Sequence, residues 1–126
     1  HFAQIGSSGG SAQIGSSGGY AQIGSSGGSA KIGSSGYSAQ IGSSGGSAKI
    51  GSSGGYAKIE ATGKDSVIAS SGEGTVVSGA DGTWISLAEF VDGNCVGFAT
   101  GCIGKAGLKP NTPYRAQDGK LVEDAT

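Results

Sequence analysis

Apolar and small residues return on a fixed beat through most of this chain. Isoleucine stands at positions 5, 14, 23, 32, 41, 50, 59 and 68, and Val77 closes the series, a step of nine residues each time. Alanine holds the position two before each of these residues from Ala3 to Ala57. Around each isoleucine the pattern alternates: Ala3 in, Gln4 out, Ile5 in, Gly6 out, Ser7 in. A period of two predicts a short strand with one face buried. The Ser-Gly-Gly that follows predicts a corner, with glycine supplying positive φ at no steric cost. Helix is excluded, because each interior glycine costs about 1 kcal/mol there. One strand and one corner repeated at a constant interval mark a solenoid.

Two repeats per coil would give eighteen residues and two opposed parallel sheets, whereas three would give a triangular coil of twenty-seven. Packing favours eighteen. Strands on opposite sheets run in opposite directions, so Ala-Ile-Ser faces Ser-Ile-Ala, and isoleucine meets isoleucine in a thin core without voids. The triangular coil is the alternative, with a wider interior that alanine and serine fill poorly. Stacking then turns each position into a ladder: an apolar Ile spine, inward Ser hydroxyls within reach of the corner backbone, and outward amides at Gln4, Gln13, Gln22 and Gln40. Lys31 and Lys49 fall next to each other in one such ladder and are expected to splay into water. Tyr20, Tyr37 and Tyr56 replace small residues at corners. They read either as rings that cover neighbouring glycine backbone or as an aromatic binding strip.

The pattern loosens after Ile59: Glu60 takes a glycine position, Ser66 an alanine position, and Val67 and Val76 are apolar where the face should be polar. Such residues imply a cover, which the rest of the chain is expected to supply. From Trp84 the phase is lost, and Trp84 to Val91 reads as a longer strand that Asp92-Gly93-Asn94 turns back into Cys95 to Thr100. Lys109 to Pro113 is a loop, and Tyr114 to Gln117 and Lys120 to Glu123 flank Asp118-Gly119, a strong hairpin signal. Trp84, Phe90, Phe98, Tyr114 and Leu121 are the expected core of a cap. The predicted architecture is therefore all-β: a β-solenoid over 1–83 and a C-terminal β-hairpin cap over 84–126.

Composition alters this picture little. The 28 glycines would suit a flexible linker, but a linker has no reason to place isoleucine at one phase. A net charge of −1 points to neither nucleic acid nor a membrane surface, although the charge is uneven, with Lys31, Lys49 and Lys58 alone before Glu60. No apolar run reaches membrane-spanning length and no signal peptide is visible. Without a methionine in the sequence, His1 reads as a remnant of processing, and the natural protein is expected to continue upstream.

The sequence carries no familiar chemical motif intact. Calcium-binding nonapeptides need an aspartate in each corner, and none occurs before Asp65. One histidine and two cysteines do not make a four-ligand zinc site. Cys95 and Cys102 would lie on opposite faces of a continuous strand and read as reduced and structural, with a disulfide open to them if Gly97–Gly101 bends back. Gly104-Lys105 lacks the first glycine and the hydroxyl of a phosphate loop, and Gly72-Glu73-Gly74 lacks the third glycine of a dinucleotide fingerprint. Only His1 could activate a serine. No catalytic residue, cofactor or metal is expected.

The run of Ala-(Gln/Lys)-Ile-Gly-Ser-Ser-Gly units, the step Ile59-Glu60-Ala61-Thr62-Gly63, the tail Trp84 to Glu89 and the hairpin Tyr114 to Glu123 occur in an order that resembles a group of bacterial and phage-associated repeat proteins. The resemblance implies a β-solenoid and carries no activity with it. That group often has aspartate in the column that reads Gly10, Gly19, Gly28, Gly46 and Gly55 here. The expected role is a non-enzymatic structural or spacer module. The alternative is a surface that recognises ice or a glycan through Gln4, Gln22, Gln40, Tyr20, Tyr37 and Tyr56. Against ice, the outward columns lack regular threonine pairs. An N-terminal coil that begins at once, with Phe2 in a Ser/Tyr column, leads to the expectation of a homodimer formed end to end through Ile5 and Ile14.

Overall fold

The computed structural model describes residues 4–124, so the expectations for His1, Phe2 and Ala3 lie outside the described residues. Nine short strands follow one another at the repeat interval: β1 Gln4–Ser7, β2 Gln13–Ser16, β3 Gln22–Ser25, β4 Lys31–Ser34, β5 Gln40–Ser43, β6 Lys49–Ser52, β7 Lys58–Ala61, β8 Val67–Ser70 and β9 Val76–Gly79. Four longer or later strands complete the chain: β10 Trp84–Val91, β11 Asn94–Cys102, β12 Tyr114–Gln117 and β13 Lys120–Glu123. Odd-numbered rungs form one parallel sheet and even-numbered rungs the other. Gln4 pairs with Gln22 and Ile14 with Ile32, so each coil takes eighteen residues and the triangular alternative is not the one adopted.

The alternation predicts burial correctly. Ile23, Ile32, Ile41, Ile50, Ile59 and Ile68 are nearly inaccessible, as are the alanines two residues before the first five, whereas Gln22, Lys31, Gln40 and Lys49 are exposed. Each isoleucine buried in this way contributes on the order of 2 kcal/mol. At the first coil Ile5 and Ile14 are only half-buried, since no coil lies above them among the described residues. The inward serines divide. The Ser34 and Ser70 hydroxyls accept from the Gly36 and Gly72 N–H groups, while those of Ser25, Ser43 and Ser52 have no hydrogen-bond partner.

The corners work differently from the expectation. Positive φ falls on Ser11, Tyr20, Ser29, Ser38, Ser47, Tyr56 and Asp65, at 57 to 62°, two residues after the first glycine of each corner, and a glycine takes that position only at Gly74, at 73°. Their N–H groups point along the stack: Ser29 donates to the Gly46 carbonyl at 2.9 Å and Ser38 to that of Gly55 at 2.8 Å. The first glycine of each corner serves close approach. A Cβ on Gly27, Gly36, Gly45, Gly54, Gly63 or Gly72 would overlap the carbonyl of the glycine one coil earlier. The second position has room, and Tyr37, Lys64 and Glu73 occupy it. Stacked corners therefore need one glycine for contact, not two for backbone freedom.

The stack does not lose its register at Trp84. A corner shorter by one residue brings Ile85 opposite Ile68, so Trp84–Leu87 form a further rung beside Val67–Ser70. A boundary drawn between residues 83 and 84 thus falls just before a strand that belongs to both regions. Beyond Leu87, β10 continues with β11 as an antiparallel hairpin that overhangs the rungs, with a register shift between Glu89 and Phe90. On the other sheet β12 adds antiparallel to β9, placing Tyr114 beside Val77, and β13 pairs with β12.

The cap core differs from the one expected. Tyr114 is buried and its phenolic oxygen accepts from the Lys109 N–H at 2.7 Å. Leu87 and Ile103 are buried with it, and Leu108 and Leu121 pack against the same cluster. Trp84 and Phe98, by contrast, are about half exposed at 49% and 55%, and Phe90 is intermediate. The expected cover over Val67 is likewise missing: Val67 is 46% exposed, and only Val76 is partly shielded. Val67 belongs to an outward column that Trp84 continues past the last repeat. The two hairpins are clasped by Glu89, whose carboxylate oxygens accept from the Asp118 and Gly119 N–H groups, each at 2.8 Å.

Candidate surface site

Corners alternate between two edges of the flattened coil, and those after β2, β4, β6 and β8 share one edge. Tyr20, Tyr37 and Tyr56 belong to three successive corners on it, linked by the Tyr20 N–H to Tyr37 carbonyl bond at 2.8 Å. Their spacings of 17 and 19 residues, rather than 18, disguise this alignment in the sequence. Tyr20 and Tyr56 take the left-handed position itself, and Tyr37 the position before it. All three rings remain about half exposed. Tyr37 and Tyr56 meet edge to face, with centroids 5.5 Å apart and planes at 65°. The rings also lean onto the next coil. A Cβ on Gly55 would lie 3.3 Å from the Tyr37 ring, and one on Gly74 would press into that of Tyr56.

Gln4, Gln22 and Gln40 occupy the outward column nearest this edge, because each odd-numbered strand from β3 onward begins just after one of these corners. The Gln4 side-chain amide donates to that of Gln22 at 3.3 Å, as an amide ladder requires. Beside the amides runs a shallow trough floored by Gly6, Gly24 and Gly42 and rimmed by Ser8, Ser26 and Ser44, with Glu60 and Thr62 at its cap end. Gln13 lies on the other sheet, in a column with Lys31 and Lys49.

The six residues picked out from the sequence thus fall on one side of the molecule. Across the first rungs the described residues of that side offer amide, hydroxyl and aromatic groups and no formal charge until Lys58 and Glu60. Such a surface can donate and accept hydrogen bonds and present ring faces. Among the described residues no cluster of three or more His, Cys, Asp or Glu side chains could hold a metal ion. Cys95 and Cys102 are both free, the first exposed and the second buried. No helix among the described residues is long and apolar enough to cross a membrane. Comparison of the chain with protein-family models, curated proteins and solved structures finds no match.

Proposed function

We propose that the chain is a rigid structural module that holds its ends a fixed distance apart and performs no chemical step. The unbroken register carries this reading: parallel pairing at an eighteen-residue step runs through both sheets, from β1 to β9 in one and from β2 to β8 in the other, without a slip. A module whose length is the number of coils should tolerate a change in that number. Removing residues 22–39 joins Ala21 to Gln40 and keeps every column in phase. The shortened protein should fold, with its long dimension reduced by about 5 Å, the spacing of one rung. Small-angle scattering and circular dichroism measure both, and loss of the fold would refute the reading.

The shared side of the tyrosines and glutamines supports a second reading, a surface for a neutral glycan. Aromatic faces stack on sugar rings, and amides and hydroxyls bond their hydroxyl groups. Titration with neutral oligosaccharides, followed by the tyrosine resonances, should show saturable shifts that Tyr37→Ala and Gln22→Ala abolish. Flat profiles with every sugar would remove it, and thermal hysteresis in freezing solutions would favour ice instead.

A further inference from the structure

The two sheets repeat one unit, yet their outward faces differ in charge. On each face three columns run along the stack: the residue that opens the strand, a glycine two residues on, and a serine two further. In the seven-stranded sheet the opening column begins Gln4, Gln22 and Gln40, and the glycine column runs into the Glu60 carboxylate. In the six-stranded sheet the opening column reads Gln13, Lys31, Lys49, Val67 and Trp84. Beside it lies a trough floored by Gly15, Gly33, Gly51 and Ala69 and rimmed by Ser17, Ser35, Ser53 and Ser71, with Phe98 at its cap end. None of these outward residues is acidic, and the acids of the flanking corners, Asp65, Glu73 and Asp81, lie on the cap side of Lys49. Lys31 and Lys49 stand directly opposite each other, an arrangement that like charges disfavour, and neither meets a carboxylate among the described residues. A third ammonium, that of Lys105, lies 5.8 Å from the centre of the Trp84 ring at the end of the same column.

We propose that this trough binds an acidic polysaccharide whose chain runs along the stack. Its carboxylates pair with Lys31 and Lys49, which stand one rung or about 4.8 Å apart and can share one carboxylate or take those of adjoining sugars. Its hydroxyls bond the serine rim, and the glycine floor lets a sugar ring approach the backbone closely. Val67 and Trp84, exposed in the same column, offer an apolar platform to the C–H faces of the rings. Charge complementarity selects the sheet: the matching trough on the other face holds Glu60, which repels an anion. The ratio of groups selects the polymer. Cations are few and hydroxyls many, as an acidic polysaccharide requires. A nucleic acid carries a phosphate on every unit and is held by a run of cations with aromatic platforms for successive bases, which the glycine and serine rungs lack. The site lies on the opposite sheet from Gln22 and Gln40 and does not depend on that surface.

Isothermal titration at low salt with hexamers of galacturonate and of mannuronate should show saturable binding to at least one. The methyl ester of that hexamer keeps the sugars and loses the charge, and should bind about tenfold more weakly or worse. Lys31→Gln with Lys49→Gln should weaken binding by a similar factor without changing circular dichroism or lowering Tm, because both side chains are exposed. Lys58→Gln with Lys120→Gln removes the same charge outside the trough and should leave affinity unchanged. Gly33→Val separates the trough from simple charge attraction. A Cβ there meets nothing within 4 Å, so the strand accepts the side chain while the floor is filled, and binding should fall. Absence of saturable binding to both hexamers would overturn the proposal. So would equal losses in the two lysine pairs, full binding by Gly33→Val, an ester that binds as well as the acid, or an oligothymidylate that binds more tightly than either hexamer.

Discussion

The rungs and the cap are built on opposite principles. In the rungs each contact is a copy: Ile23 sits on Ile41 as Ile32 sits on Ile50, and the same corner bond recurs from Ser11 to Tyr56. In the cap each contact occurs once. Glu89 reaches the Asp118-Gly119 turn, Tyr114 takes the Lys109 N–H, and Leu108 and Leu121 cover Gly101. Repetition spreads a requirement over a whole column: the alanine, isoleucine and first-glycine columns hold the stack, while the outward column that opens each strand takes Gln, Lys or Val. The cap has no columns to share its load, and its stability rests on individual side chains joining segments far apart in sequence.

The sharpest way to break the rungs is to place a polar group in the spine. Ile41 is 2% exposed and its neighbours in the column are equally buried, so an amide there would find no solvent. Ile41→Asn should destabilise the protein by roughly 4 kcal/mol, combining a lost apolar side chain with a buried polar one. Gln40→Ala, on the outward face one residue earlier, should cost less than about 0.5 kcal/mol. Denaturant titrations of the two variants test the assignment of faces directly, and equal losses would show it to be wrong.

A smaller effect should separate the two glycines of one corner. A Cβ at Gly45 would overlap the Gly27 carbonyl, and backbone cannot swing aside as a side chain can. Gly45→Ala should therefore cost about 3 kcal/mol, the upper end for overpacking. At Gly46 the nearest atom to a new Cβ is the Lys64 carbonyl oxygen at 3.7 Å, an ordinary contact, and φ is not positive. Gly46→Ala should change stability by less than about 1 kcal/mol, and in the favourable direction, because the unfolded chain loses freedom. Thermal melts of the pair would show whether the corner depends on contact or on backbone conformation.

The division between columns and single contacts also explains what can be read from the chain alone. Strand phase, coil size, the buried spine and both late hairpins follow from local alternation and turn residues, because Ile5 to Val77 repeat one instruction and Asp118-Gly119 is a turn in almost any context. The role of the corner glycines does not follow locally. Glycine permits both positive φ and close approach, and only the stacked neighbour shows which is used. The cap core departs from the sequence expectation for a related reason. Trp84 and Phe98 are large and apolar, but their strand parity turns them outward, whereas Leu87 and Ile103 turn inward. Of the candidate surface, the glutamine column was legible as a ladder. The shared edge of the tyrosines was not, because Tyr37 stands one position off the column of Tyr20 and Tyr56.

The mildest test addresses the cap alone. Glu89 ties the β10–β11 hairpin to the β12–β13 turn through both of its oxygens. Hydrogen bonds to a charged acceptor are worth about 1.5–3 kcal/mol when sheltered, and these are partly open to water. Glu89→Ala should therefore cost about 1 kcal/mol, and Glu89→Gln, which keeps one acceptor oxygen, about half as much. The more telling readout is local. Amide exchange at Asp118 and Gly119 should accelerate in Glu89→Ala while the Ile23, Ile32 and Ile41 amides keep their protection, since no rung contact has changed. If those rung amides lost protection to the same degree, the cap and the stack would unfold as one unit. The contrast between shared columns and single contacts would then describe how the chain is assembled without describing how it comes apart.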